Sequence, residues 1–128
     1  MKTQGKPQHK EIIATETFPV RLISEANNFD HWTKKYKRKK NIQKMIWFYF
    51  INKCPSLVIP CEVHLTRYGK KLLDQDNLVH CFKSAIDQIA SHIIPGLKPG
   101  QADSSIHISW HYHQEIAKFY AFKMEICK

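Results

Sequence analysis

The sequence predicts a small α+β domain with a mixed sheet of about four strands and two main helices, in the order β-α-β-α-β-β. Two observations predict this class. Short stretches alternate apolar and polar residues, as half-buried strands do, and two longer stretches have the spacing of an amphipathic helix. With 128 residues and 43% hydrophobic side chains, the chain can bury one core. We therefore expect one domain over residues 11–128 and a flexible polar tail over residues 1–10.

The strands are predicted from alternation of apolar side chains with a period of two. Pro19 within the first alternating stretch places that strand at a sheet edge, because proline cannot donate to a ladder. The link at residues 114–117 is short, which predicts that the last two strands pair as an antiparallel hairpin. The predicted strands cover residues 18–23, 61–66, 106–113 and 120–126.

Two helices are predicted between these strands. The first has Asp30 as its N-cap and Pro55 just beyond its end. Its buried stripe follows the i, i+3, i+4 pattern and consists of Ile42, Met45, Ile46, Tyr49 and Phe50. The second helix spans about residues 77–92, and the proline and glycine residues at 95–100 then form a loop.

The positive charge of the chain is concentrated in the first helix. Lys and Arg total 20 against 11 Asp and Glu, a net charge of +9, and no acidic residue lies between His31 and Cys61. The eight basic residues of that stretch leave twelve basic against eleven acidic residues elsewhere. Trp32 and Tyr36 interleave with the lysines, a pattern typical of surfaces that follow phosphates and stack on bases. The predicted DNA-binding residues are Lys34, Lys35, Lys37, Arg38, Lys39, Lys40, Lys44, Arg67, Lys70 and Lys71.

Several protein classes are excluded. The longest apolar run, residues 45–51, is far shorter than the ~20 residues that cross a bilayer. Residues 1–11 lack the apolar core of a secretory signal. The four cysteines show no C-x-x-C spacing, which favours buried, reduced thiols. We therefore expect a cytoplasmic protein without a membrane partner.

A pair of aspartates marks the start of the second helix. Asp74 and Asp76 lie two residues apart, so an extended backbone directs both carboxylates to one side. Either Asp76 or Asn77 is suited to cap the helix. Hard cations such as Mg²⁺ are bound by one or two carboxylates together with substrate phosphate oxygens. Clustered aspartates in a basic protein therefore predict a metal site within a phosphate-binding surface, although helix capping alone explains the same residues.

The second helix carries a polar stripe opposite its apolar face. Its members have helical spacing and are Asp76, His80, Lys83 and Asp87. A lysine in this position can stabilise charge that develops on a phosphate. The alternative is an exposed pair of Lys83 and Asp87 with little energetic effect.

These motifs resemble a known family. The matching runs are Leu65-Thr66-Arg67, Leu73 to Leu78, Phe82-Lys83, Asp87 and Asp103 to Gln114. Together they resemble the signature of the RusA family of Holliday-junction resolvases, in particular the variants of phages and prophages. The resemblance covers roughly residues 57–126, and the upstream strand and basic helix fit the family's order of elements.

The resemblance implies an α+β homodimer that makes paired, Mg²⁺-dependent nicks in branched DNA during recombination or repair, with Mn²⁺ as a substitute metal. It assigns the metal-binding carboxylates to Asp74, Asp76 and Asp103, and the required lysine to Lys83. The chain departs from the family in two places. Lys83 lies one turn further along the helix, with His80 in the nearer position, and Asp103 stands alone where the family often has two adjacent acids. His80, Asn77 and Asp87 are expected beside the site, in proton transfer or in orienting its ligands.

Two alternatives remain open. The first is a nucleic-acid-binding module of the same fold with weak or absent catalysis. The second is a zinc-binding hydrolase, because His107, His111 and His113 share one face of a predicted strand and imidazoles bind Zn²⁺.

Overall fold

A computed structural model describes residues 11–24, 31–96 and 105–128. The described elements confirm the predicted α+β class, with a mixed sheet and the predicted alternation of strands and helices. The predicted tail at 1–10, the Asp30 cap, Asp103 and part of the 95–100 loop lie outside the described residues. The elements are β1 Ile12–Phe18, α1 Trp32–Asn52, β2 Cys61–Gly69, α2 Gln75–Cys81, α3 Lys83–Ile93, β3 Ile108–Ile116 and β4 Ala121–Cys127.

The sheet has the strand order β1-β4-β2-β3, and this order corrects the predicted hairpin. β2 lies between β3 and β4, parallel to β3 and antiparallel to β4. The link from Ile116 to Ala121 is long enough to pass the end of β2, since two strand spacings are only about 10 Å. The Ala117 amide donates to the Gly69 carbonyl at 2.8 Å and fixes this passage. Parallel pairing of β2 and β3 places α2 and α3 in the crossover between them.

The first strand lies earlier than predicted. β1 ends at Phe18, and residues 19–24 form no strand. Pro19 has no amide proton to donate, and the Val20 amide closes a tight turn by donating to the Phe18 carbonyl at 2.9 Å. Leu22 is nevertheless only 3% exposed. The alternating pattern therefore predicted the burial of this side chain correctly, although the residue belongs to no strand. β1 lies at a sheet edge, since it pairs only with β4 among the described strands, but Pro19 follows this strand and is not part of it.

The predicted second helix is two helices that meet at Phe82. This residue has φ −93° and ψ 0°, and its amide donates to the Val79 carbonyl at 3.1 Å, one residue short of an α-helical bond. The Phe82 ring is fully buried against the rings of Tyr112 and Phe122, with centroids 5.9 and 6.2 Å away. We attribute the break to this anchoring of the ring in the core.

The predicted apolar stripe of α1 is confirmed. Ile42, Ile46 and Tyr49 are buried, and Met45 and Phe50 pack on the same core from partly buried positions. In place of the predicted aspartate, the His31 side chain caps α1 by accepting from the Thr33 amide at 3.2 Å. The same core includes buried residues of α3, and α1 contacts α3. This packing brings the basic half of α1 alongside the polar stripe of α2 and α3.

All four cysteines are free thiols, and Cys61, Cys81 and Cys127 are buried. Burial raises the pKa of the Cys61 thiol above its ordinary value. Within the described ranges, none of the helices has the length and apolar character that crossing a bilayer requires.

Candidate functional site

A cleft of about 510 Å³ separates the basic helix from the stripe on α2 and α3. Five of its lining residues are cationic and one is a carboxylate, so the cleft favours anions. α1 forms one wall, α2 and α3 form the other, and two residues of the segment after β1 complete it. The lining residues are Arg21, Ile23, Lys35, Tyr36, Arg38, Lys39, Ile42, His80, Cys81, Lys83, Ser84 and Asp87.

Helical geometry divides the predicted basic residues of α1 into two groups. Lys35, Arg38 and Lys39 lie on the helix face that lines the cleft, with the exposed ring of Tyr36 beside them. The remaining predicted residues, Lys34, Lys37, Lys40 and Lys44, are exposed and do not line it. Lys40 places its ammonium group 5.4 Å from the centre of the Tyr36 ring. The cleft therefore contains only part of the basic run.

The opposite wall contains three of the four residues of the predicted polar stripe. His80, Lys83 and Asp87 line the cleft together with Ser84. Lys83 Nζ lies 3.6 Å from Asp87 Oδ1, and that carboxylate oxygen is buried with no hydrogen-bond partner among the described residues. Asp76, the fourth member of the stripe, is exposed in the first turn of α2 and does not line the cleft. The break at Phe82 thus preserves most of the stripe.

Cys81 also lines the cleft, but its chemistry is that of a core residue. Burial raises the pKa of the Cys81 thiol to about 12, against the opposing effect of the Arg67 charge. Its Sγ donates to the Leu78 carbonyl at 3.0 Å. A thiol with so high a pKa is almost entirely protonated at neutral pH, so Cys81 is no nucleophile.

The structure describes two of the three predicted metal-binding aspartates, Asp74 and Asp76. Asp74 is the N-cap of α2, and both of its oxygens accept hydrogen bonds from Asn77. Asn77 in turn accepts from the Ser24 hydroxyl at 2.7 Å, which connects the segment after β1 to the start of α2. Asp76 has an exposed carboxylate, and Asp103 lies outside the described residues. Of the predicted metal ligands, Asp74 therefore has an evident structural role as a helix cap.

Arg67 was predicted to bind DNA, but its side chain is buried. It is 5% exposed, and its guanidinium donates to the Lys71 carbonyl at 2.9 Å. The alternation of β2 turns this side chain toward the helices, where phosphate cannot reach it. Lys70 and Lys71 are exposed, and the Lys70 ammonium lies 5.8 Å from the centre of the Tyr120 ring.

The predicted three-histidine face is only partly present. His111 and His113 lie on β3, whereas His107 precedes the strand and is exposed. Sequence reasoning missed two further members of this face, Glu62 and His64 of β2. Their alternation with apolar residues was a visible signal, but only the parallel pairing of β2 with β3 places them beside the other histidines.

Comparisons of the chain with protein-family models, with curated proteins and with solved structures returned no match.

Proposed function

We propose that the cleft binds the phosphate backbone of branched DNA and that the chain is a Mg²⁺-dependent endonuclease of four-way junctions. The observation that carries this proposal is the composition of the cleft: five cationic side chains and an exposed aromatic ring surround a single carboxylate. Such a surface suits a polyanion with stacking bases, and contacts to phosphate bind without reading sequence.

The proposed metal chemistry rests on the carboxylates at the start of α2 and on the resemblance given above. Asp76 is exposed, and carboxylate oxygens retain lone pairs for a hard cation even where, as in Asp74, they also accept hydrogen bonds. These donors fit Mg²⁺, which Asp74 and Asp76 would hold with Asp103. When bound, such an ion activates water and offsets charge on the phosphate.

Lys83 is the proposed cation for the reacting phosphate. It lines the cleft, and its Nζ lies 3.6 Å from Asp87 Oδ1 on the same wall. His80, which lines the same wall, is suited to proton transfer because an imidazole can both donate and accept a proton. A homodimer follows from the proposed reaction, because two symmetric cuts need two equivalent sites.

A four-way junction assay tests the proposal. We expect the chain to bind a labelled junction in EDTA and to nick it only after Mg²⁺ or Mn²⁺ is added. Asp76→Asn should abolish nicking and preserve junction binding, because it removes a metal ligand and no cation. Glu11→Gln is the matched control, since it neutralises an exposed carboxylate that pairs with Lys128, and it should nick like the wild type.

The second candidate is a binding module of the same fold, and one observation favours it. The Asp74 carboxylate is already used to cap α2, which explains this aspartate without a metal. Junction binding without nicking under either metal would establish this candidate and overturn the nuclease. Failure to bind any branched or linear DNA at low salt would overturn both. Light scattering of the protein alone and with the junction tests the dimer.

A further inference from the structure

The second face of the sheet, which is turned away from the helices, gathers several imidazoles and a carboxylate. Parallel pairing places Glu62 beside Ser109, His64 beside His111 and Thr66 beside His113. Because side chains two residues apart share one face, the acid and the three imidazoles all project to this side. Among the described residues, Glu62, His64 and His111 bring one ligand atom each within 4.8 Å of the others.

His64 is the centre of this cluster. It is 1% exposed, its Nε2 lies 3.1 Å from Glu62 Oε1, and its Nδ1 lies 3.0 Å from His113 Nε2. Its ring stacks on that of His111, with centroids 4.4 Å apart and planes 10° from parallel. Nitrogen and oxygen atoms therefore surround a buried imidazole, and a buried polar side chain of this kind is an informative feature.

We propose that Glu62, His64 and His111 bind a late first-row divalent metal ion of the Zn²⁺ class. Two imidazoles and one carboxylate form a ligand set known for zinc, with a fourth position left for water. Imidazole nitrogen selects such ions over Mg²⁺, so this site differs in chemistry from the carboxylates of α2. Zinc with bonds of about 2.0–2.1 Å needs ligand atoms roughly 3.4 Å apart, so modest side-chain rotations close the site.

Neighbouring side chains support the proposed ligands. When His64 carries its proton on Nδ1, it donates to His113 Nε2, and its own Nε2 keeps a lone pair for the metal. The Ser109 hydroxyl lies 2.9 Å from His111 Nε2, and this hydrogen bond orients the His111 ring as His113 orients the ring of His64. The Glu62 side chain is 22% exposed and provides a route by which the ion enters. The site stands independently of the proposed nuclease activity.

Among the alternative ligands on this face, Cys127 is the one that a spectrum can identify. Cys127 pairs with Glu62 across β2 and β4, and its buried thiol lies on the same face. A thiolate bound to Co²⁺ gives an intense charge-transfer band in the near ultraviolet, which imidazole and carboxylate ligands do not give. The spectrum therefore tests the ligand set separately from the binding.

The experiment is equilibrium dialysis of EDTA-treated full-length protein against Zn²⁺, followed by elemental analysis, with Co²⁺ as a spectroscopic probe. The wild type should bind one Zn²⁺ per chain with submicromolar affinity. Glu62→Gln and His111→Gln, which leave the buried His64 in place, should each weaken binding at least tenfold, consistent with the loss of one ligand. His107→Gln, which removes an exposed histidine before β3, is the matched control and should bind like the wild type.

One set of results establishes the proposed metal site, and three other results overturn it. Binding that both ligand variants weaken and the control retains, with a Co²⁺ spectrum lacking a thiolate band, establishes the site. Three results overturn it: only millimolar binding in the wild type, equal losses in the His107 control, or a thiolate band that persists in both ligand variants. Circular dichroism of each variant identifies any loss that comes from misfolding. A Zn²⁺-induced rise in melting temperature that is larger in the wild type and in His107→Gln than in the two ligand variants gives an independent measurement.

Discussion

Asp74 and Asn77 form a closed cap at the start of α2. Asp74 Oδ1 accepts from the Asn77 backbone amide at 2.9 Å, and Oδ2 accepts from the Asn77 side-chain amide at 3.1 Å. Asn77 also accepts from the Ser24 hydroxyl, so the cap connects α2 to the segment that follows β1. Arg21 of that segment lines the cleft, and the cap thereby helps to shape it.

The first prediction concerns this cap. Asp74→Ala should lower the free energy of unfolding by about 1 kcal/mol, because it leaves a helix N–H without its acceptor. Asp74→Asn should cost less, since asparagine is also a favourable N-cap. Urea denaturation followed by circular dichroism measures both changes.

Asp76→Ala is the control for the cap, because Asp76 is exposed and is not the N-cap. It should change stability by no more than about 0.5 kcal/mol. Equal losses for Asp74→Ala and Asp76→Ala would contradict the capping role. If Asp74→Asn keeps its stability but loses junction nicking, Asp74 serves both as cap and as metal ligand.

Local patterns in the sequence predicted most of the elements, but not the position of β1, the break at Phe82 or the pairing of the strands. The stripe of α1 and the polar stripe ending at Asp87 follow from helical periodicity, which neighbouring residues alone determine. The insertion of β2 between β3 and β4 depends on contacts distant in sequence, and no turn signal encodes it. The hairpin prediction was wrong for this reason. The link at Ala117 is long enough either to join two neighbouring strands or to pass the end of a strand between them.

The surroundings of individual side chains also depend on contacts that are distant in sequence. Arg67 looked like a surface cation, because its charge does not reveal that β2 is a central strand and that this side chain faces the core. His64 appeared as one polar member of an alternating strand, and its neighbours Glu62 and His111 became visible only through the register of β2 and β3. The division of the basic helix between cleft and solvent also required the packing of α1 on α3.

The second prediction distinguishes the cleft from the rest of the basic helix. The double variant Lys35→Gln/Arg38→Gln removes two charges that line the cleft. It should weaken junction binding and reduce the slope of log affinity against log salt by about 2, since each lost phosphate contact lowers that slope by roughly 0.9. Fluorescence anisotropy of a labelled junction over a range of salt concentrations measures both effects.

Lys34→Gln/Lys37→Gln is the matched control, with the same helix, the same loss of charge and side chains outside the cleft. It should lower the salt slope much less. If the two double variants reduce the slope equally, the positive charge of α1 acts as a diffuse field, and the cleft is not the binding path.

The third prediction is a pH dependence of stability that comes from His92. Burial lowers the pKa of the His92 imidazole below its ordinary value of 6.5. The neutral ring stacks on Phe50 at 4.7 Å and accepts from the Gln88 amide at 2.9 Å. Below pH 6.5 the unfolded chain therefore binds this proton more readily than the folded chain. The free energy of unfolding should fall as the pH drops through 6.5 toward the lower folded-state pKa.

Urea denaturation at several values from about pH 8 to about pH 5 measures this contribution. His92→Gln should flatten the dependence relative to the wild type, because glutamine does not titrate. His107→Gln, at an exposed histidine, should leave it unchanged. A His92→Gln profile parallel to that of the wild type would show that this imidazole does not couple protonation to folding.

The fourth prediction concerns the close approach of Gly69 to Arg67. A Cβ atom at position 69 would lie 2.7 Å from Arg67 Nη2 and 2.9 Å from its Cζ. The guanidinium is buried and held by the Lys71 carbonyl, so it cannot move without losing that hydrogen bond. Gly69→Ala should therefore cost about 1–3 kcal/mol of stability, the usual range for forced overpacking.

A double-mutant cycle with Arg67→Met tests the cause of that cost. Methionine removes the planar guanidinium but keeps most of the apolar stem, so Gly69→Ala should be much less costly when it is combined with Arg67→Met. Denaturation of the four proteins gives the coupling energy, which we expect to exceed about 1 kcal/mol. If Gly69→Ala costs the same in both backgrounds, its effect comes from the backbone of β2 at the point where Ala117 pairs with it, and Arg67 is not the reason for a glycine here.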